Sequence, residues 1–327
     1  MKLINAFFLL SLIAILCPCS ECDELTDFHR IVVIGDIHGD SDNFRKILRT
    51  SSLIHEEINE KGETNVIWSP LKDIEGFPIR TSLIQIGDLI DRGENDMQCL
   101  NMAFSLYEQA SASANDDKVV LIIGNHELLN LEGLYYMVNT NNFGGFFTKI
   151  LRDYAFKPNG PYGKNIIKNF KALHVEEDSI FVHGGFSSTS QHDPLSENEL
   201  NSLVQKSLLE RNYDIPIFGD KGPFWDRTMI YDAMNGNCDT VDLVLKNYNV
   251  KRIIVGHTIQ ASGSIGVLCG GKLLAVDVGI SSWILNNPVA LEIFILRYKG
   301  NNGNYVITEL WEVTENFQRK LDIIEQN

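Results

Sequence analysis

The 327-residue sequence has no block of lysine and arginine: 28 basic residues stand against 43 acidic ones, for a formal charge of −15. Without a basic stripe interleaved with aromatics, that field argues against DNA or RNA as the partner. Cysteine is scarce. Of six, Cys17, Cys19 and Cys22 crowd the N-terminal segment, leaving Cys99, Cys238 and Cys269 scattered. So odd and sparse a set is not expected to make a disulfide framework. After residue 20 no apolar run approaches the roughly 20 residues of a membrane-spanning helix. There is no Asn-x-Ser/Thr sequon, no retention tetrapeptide at the C-terminus, no internal repeat and no low-complexity segment, so nothing marks a second module.

The N-terminus is different in kind. Met1-Lys2, an apolar stretch from Leu3 to Leu16, then Pro18 and small residues around Cys17–Ser20 read as a signal peptide over 1–20, set apart from the fold. The expected location is the secretory pathway: endoplasmic reticulum lumen, vesicle or exterior. A retained anchor is the alternative, disfavoured by the short apolar stretch and by Pro18. Once the leader is removed, no stable membrane insertion is expected.

With 44% apolar residues, the chain can bury a large core. Six short, β-branched runs bounded by Gly or Asp read as buried strands: 31–34, 83–86, 119–123, 180–182, 253–255 and 273–276. Helix-capable stretches lie between several of them: 42–49 after an Asp40-Ser41 cap, 97–110 and 197–209. The alternation predicts α/β architecture. One domain is expected over 29–312, with inserts at about 51–80 and 131–175 walling a cleft and a C-terminal tail over 313–327. Residues 290–298 and 305–311 flank a Gly-Asn-Asn-Gly turn and predict a hairpin.

Five motifs follow the predicted strands in order: GDIHG (35–39), GDLIDRG (87–93), GNHE (124–127), HGG (183–185) and GHT (256–258). Each alone fits an ordinary turn, a capped helix or a hydrogen-bonded histidine. Five in sequence, each at a strand's carboxyl end, gather hard oxygen and imidazole donors at one sheet edge, where α/β folds bind ligands. That donor mix suits two divalent cations, Mn²⁺ first, with Fe or Zn accepted. Two cations can activate one water for in-line attack on phosphorus without a phosphoenzyme. Asp88 is the expected bridge; Asp36 and His38 complete the first ion, and Asn125, His183 and His257 the second. His126 is the expected general acid, with Asp91 fixing its tautomer. Arg92 supplies a planar fork for phosphoryl oxygens. No Cys-x5-Arg string offers a cysteine nucleophile. The insert aromatics Tyr135, Tyr136, Phe146 and Phe147 are expected in the core.

Across residues 31–280 these signatures resemble the phosphoprotein phosphatases, a branch of the calcineurin-like metallophosphoesterases. The strings GNHELLNLEG (124–133), GPYGK (160–164), GPFWDR (222–227) and CGGKLLAVDVGIS (269–281) are similar to those of the Shewanella-like protein phosphatases. The resemblance implies an α/β/β/α sandwich with a dinuclear metal site at the strand C-terminal ends. It also implies the ligand roles just given, a second phosphate-binding arginine at Arg227, and a phosphoprotein substrate bearing phosphoserine, phosphothreonine or phosphotyrosine. A hydrolase of small phosphates or dinucleoside polyphosphates, or a silent phosphoprotein-binding module, are the rival readings. Asp277-Val-Gly-Ile-Ser281 stands where toxin-sensitive members carry SAPNY, which implies insensitivity to okadaic acid and microcystin.

Overall fold

The computed structural model describes residues 24–321 apart from Lys61, Glu63, Ile74, Asn301 and Asn302, so the expected leader lies outside the described residues. In chain order the strands are β1 (Glu24–Ile34), β2 (Ile54–Ile58), β3 (Thr64–Trp68), β4 (Arg80–Gln85), β5 (Lys118–Leu121), β6 (Leu173–Glu176) and β7 (Ser179–Val182). They continue with β8 (Arg252–Val255), β9 (Gly266–Leu268), β10 (Leu273–Ala275), β11 (Ala290–Gly300), β12 (Gly303–Val313) and β13 (Gln318–Lys320). The helices are α1 (Ser41–Thr50), α2 (Asp96–Ser111), α3 (Asn125–Glu132), α4 (Lys149–Phe156), α5 (Pro161–Asn169), α6 (Glu197–Glu210), α7 (Thr228–Met234) and α8 (Asp239–Tyr248).

One sheet runs β13-β12-β11-β1-β4-β5 and a second β6-β7-β8-β10-β9, with β2-β3 a separate hairpin. Ile31–Ile34, Ile180–Val182 and Ile253–Val255 are all fully buried and share one continuous core. Strands buried on both faces read as unbroken apolar runs, which is why the sequence shows them so clearly. Helix α2 packs on β5, α6 on β6, α7 on β10 and α8 on β8, giving the α/β/β/α layering.

Within the first sheet β1, β4 and β5 are parallel, and within the second β7, β8 and β10 are parallel. Their carboxyl ends therefore open on common edges. Ile122 bridges Lys171 across the sheets, and Ile123 N donates to Lys171 O at 2.8 Å, holding the two edges together. Helix α1 begins as expected: the Asp40 carboxylate accepts from Asn43 N at 2.9 Å, and Phe44, Ile47 and Leu48 bury one face.

Two expectations need correction, on the cysteines and on the insert aromatics. Cys238 and Cys269 form a disulfide across 31 residues; distance in sequence had made them look unrelated. The 51–80 insert folds back as the β2-β3 hairpin, and the 131–175 insert contains α4 and α5. The stretch after 313 adds β13 to the edge of β12, with Leu321 buried behind it. Of the insert aromatics, Phe146 is in the core, whereas Tyr136 and Phe147 are 65% and 74% exposed.

Candidate metal centre

Strand β4 ends at Gln85 and the chain turns at Gly87, whose φ of 100° favours glycine; a Cβ there would sit 2.7 Å from both Gly124 N and His183 Nδ1. The turn delivers Asp88 to the N-terminus of α3. Its Oδ1 accepts from His126 N at 3.0 Å, where helix amides favour an anion. The Asp88 carbonyl accepts from Ile37 N and His38 N at 3.0 and 2.9 Å, tying the first two motifs together. Glu127 binds from below, its carboxylate accepting from Asp88 N, Leu89 N and Gly124 N at 2.9, 2.9 and 2.8 Å. His38, Asp88, Asp91, Arg92 and His257 all have positive φ, between 48° and 70°. Backbone strain in non-glycine residues gathers where surrounding structure enforces a functional geometry.

The two oxygens of Asp88 face two sets of imidazoles. Oδ1 lies 3.3 Å from His183 Nε2, while Oδ2 lies 3.9 Å from His38 Nε2 and 3.7 Å from His126 Nε2. Two buried clusters suited to a metal ion result, His38–Asp88–His126 and Asp88–His183–His257, and Asp88 belongs to both. Distal ring nitrogens are engaged elsewhere: His38 Nδ1 with Ile90 O (3.2 Å), His183 Nδ1 with Ile86 O (2.9 Å) and His126 Nδ1 with Asp91 Oδ2 (2.8 Å). Such partners fix the tautomer and leave Nε2 free for a ligand. His257 Nε2 is buried with no hydrogen-bond partner, a costly arrangement unless a cation takes it. The donor chemistry and this orphaned nitrogen fit two divalent ions.

The remaining expected residues are brought to the same place. Asn125 Oδ1 is 2.9 Å from His183 Nε2, and both oxygens of Asp36 accept from His257 N at 3.2 Å. Asp36 completes neither three-residue cluster, whereas His126, expected only as the acid, belongs to the first. Arg92 is exposed at the rim, its backbone N donating to Met137 O at 3.1 Å. Arg227, half-buried ahead of α7, reaches His257 O through Nη2 at 3.1 Å.

Electrostatics divide the site. Burial, then Asp277 and Asp88, push Asp36 well up. Burial also acts on Asp88, but His183, His126 and His38 outweigh it and hold that carboxyl well below its usual range. Burial pushes His38 down to about 3, and burial with His183 pushes His257 down to about 2, so both are neutral imidazoles able to ligate. His126 differs: burial lowers it, yet Asp88 and Asp91 prevail and hold it up at about 9.

Asn130, Arg152, Glu127 and Asp277, without an expected role, complete the site. Asp91 is held by Asn130 Nδ2 at 3.0 Å and by Arg152 Nη2 at 2.6 Å. Arg152, fully buried on α4, also donates to Asp96 at 2.7 Å, Asn130 Oδ1 at 2.7 Å and Phe143 O at 2.8 Å. Glu127, raised to about 7 by burial and Asp88, braces the turn at Asp88. Asp277, raised to about 6 by burial, follows β10 and faces Asp36. The Glu of GNHE and the Asp277 that follows an apolar run were visible signals; Arg152, inside an insert, gave none.

Residues 29–261 match the calcineurin-like phosphoesterase family. Shewanella-like protein phosphatase 1 of Plasmodium berghei is 34% identical over 266 residues, covering 77% of this chain and 67% of that protein. Shewanella-like protein phosphatase 2 of Arabidopsis thaliana is 25% identical over 313 residues, covering 81% and 75%. The solved cold-active protein-tyrosine phosphatase of a psychrophile Shewanella species shares the fold, with a TM-score of 0.67 at 22% identity over 90% of this chain and 80% of that one. Fold, donor set and relatives agree on a phosphoric monoester hydrolase. The chain belongs to the calcineurin-like phosphoesterases and, within them, to the Shewanella-like protein phosphatases.

Proposed function

We propose that this enzyme hydrolyses phosphomonoesters on phosphoproteins within the secretory pathway, using two divalent cations held about Asp88. The observation that carries this reading is the sharing of Asp88 by two His/Asp clusters with the His126–Asp91 pair beside them. His38 and Asp36 would hold one cation with Asp88; Asn125, His183 and His257 would hold the other. We infer Mn²⁺ from among Mn, Fe and Zn, all of which this mix of oxygen and imidazole donors accepts. Such cations, when bound, acidify a coordinated water and neutralise charge on phosphoryl oxygens.

The chain's own residues supply the remainder. Arg92 at the rim and Arg227 beside His257 orient the phosphoryl oxygens through charge-assisted hydrogen bonds. His126, its Nδ1 fixed by Asp91, delivers a proton from Nε2 to the leaving oxygen, and the Arg152–Asn130 cradle keeps Asp91 from rotating away. The apolar leader over 1–20 and the Cys238–Cys269 disulfide support an oxidising, secretory compartment.

Phosphate release from phosphoserine, phosphothreonine and phosphotyrosine peptides, with and without Mn²⁺ and beside a dinucleoside tetraphosphate, tests this function. Metal-dependent peptide turnover is expected, and its distribution assigns the residue preference. Turnover of the dinucleotide alone would overturn the phosphoprotein reading.

A further inference from the structure

Helix α4 is apolar on the wrong side. Its inward positions are satisfied: Arg152 is buried among the site carboxylates, and Ala155 and Phe156 enter the core. Its outward positions carry Ile150, Leu151 and Tyr154, at i, i+1 and i+4, with exposures of 82, 52 and 62%; Phe147, turned ahead of the helix by a φ of 66°, is itself 74% exposed. That spacing lines one helical face, where a solvated helix places polar residues. Tyr136 and Met137 extend the patch along the preceding loop, and Asp153 lies 3.7 Å from the position of a Cβ on Gly133, so loop and helix adjoin. Contiguous exposed apolar surface of this kind marks a contact site.

The patch is continuous with the reaction centre. Met137 O accepts from Arg92 N, and Asn139 Nδ2 donates to Arg92 O at 3.3 Å, so the apolar surface begins where the phosphate-binding rim ends. The opposite face of the same helix fixes Asp91. A peptide whose phosphate sits at Arg92 must pass one of the walls around it. Resting on the phosphoprotein reading above, we propose that the 136–154 surface is a docking surface for a large aliphatic or aromatic side chain of the substrate, a few residues from the phosphorylated one. An extended peptide advances roughly 3.3 Å per residue and the eight-residue helix is about 12 Å long, so about four residues of an extended peptide span the stripe, and scanning the flanking positions locates the docked one.

The test is kcat/KM for two phosphopeptide series, identical except that Leu or Ser occupies each flanking position from −5 to +5. p-Nitrophenyl phosphate serves as a substrate too small to reach the patch. The full chain is compared with Ile150→Ser/Tyr154→Ser, folding being checked by coincident thermal melts. The expected result is about a tenfold preference for Leu at one or two positions, abolished in the double variant while p-nitrophenyl phosphate turnover is unchanged. A flat profile in the parent enzyme would overturn the docking surface while leaving the phosphatase reading intact, as would a preference that survives in the variant. Loss of self-association or of vesicle binding in the variant, with a flat peptide profile, would likewise reassign the patch away from substrate. Absence of all phosphopeptide turnover would instead remove the reading on which the inference rests.

Discussion

Replacing Arg152 by methionine isolates the part of the site that the sequence concealed. One guanidinium serves two buried carboxylates, at 2.6 Å from Asp91 and 2.7 Å from Asp96, with Arg152, Asp91 and Asp96 all fully buried. Methionine keeps the volume of the stem and removes the charge, leaving both acids without their cation. Removing one partner of a buried pair costs about 3–5 kcal/mol, a large share of the roughly 5–15 kcal/mol that holds a domain folded. The loss depends on pH. Burial raises Asp96 from 3.8 to about 7 despite Arg152, so the folded state favours its protonated form, and its contribution falls as pH rises from about 4 through 7. Without Arg152 that fall deepens, so the gap between parent and variant widens from pH 5 to pH 8. Urea denaturation at both pH values measures it. A deficit under about 1 kcal/mol at pH 8, or one that narrows as pH rises, would refute the reasoning. Turnover should fall as well, because Asp91 loses the group that holds it against His126.

Three further outcomes are expected. His126→Asn should slow phenyl phosphate about 10²–10⁴-fold and p-nitrophenyl phosphate far less, since a good leaving group needs little protonation; equal losses would remove His126 from the acid role and leave it as a ligand. Gly124→Ala should abolish activity and lower stability, because the added Cβ would lie 2.2 Å from Asp88 Oδ1 and 2.3 Å from Asp88 N; near-normal turnover would contradict the packing. Far from the site, burial opposes Glu176 but bonds from His174 and Ser82 hold it down at about 2 against 4.5 unfolded, so its contribution of about 3 kcal/mol exists above pH 4.5 and vanishes toward pH 2. Glu176→Gln should therefore flatten stability in that acid window, read from denaturant midpoints at pH 5 and pH 3.

What was legible in the sequence is what is encoded locally. Ile31–Ile34 and Ile253–Val255 announce buried strands because both faces are covered, and the motifs at their ends carry glycine because Gly87 turns on a positive φ while Gly35, Gly124 and Gly256 leave no room for a Cβ. The residues expected as ligands lie in motifs that the fold brings together around Asp88. Contacts set by long-range packing were not legible. Arg152 meets Asp91 across 61 residues and belongs to none of the quoted motifs, and Cys238 meets Cys269 only because α7, α8 and β10 are neighbours. Tyr136 and Phe147 face outward from turns ahead of α4, and composition does not reveal which way a loop aromatic points. Membership of His126 in a metal-suited cluster depends on a 3.7 Å approach to Asp88 that spacing cannot show.

Asp88 belongs to both clusters and would hold both cations on which phosphomonoester hydrolysis would depend. Metal content per chain, measured by elemental analysis on the parent enzyme and on Asp88→Asn alongside Mn²⁺-dependent phosphate release, tests this bridging role most directly. Two equivalents and metal-dependent turnover are expected in the parent, with both lost in the variant, because a neutral amide cannot hold two cations together. Two equivalents and undiminished turnover in Asp88→Asn would contradict it.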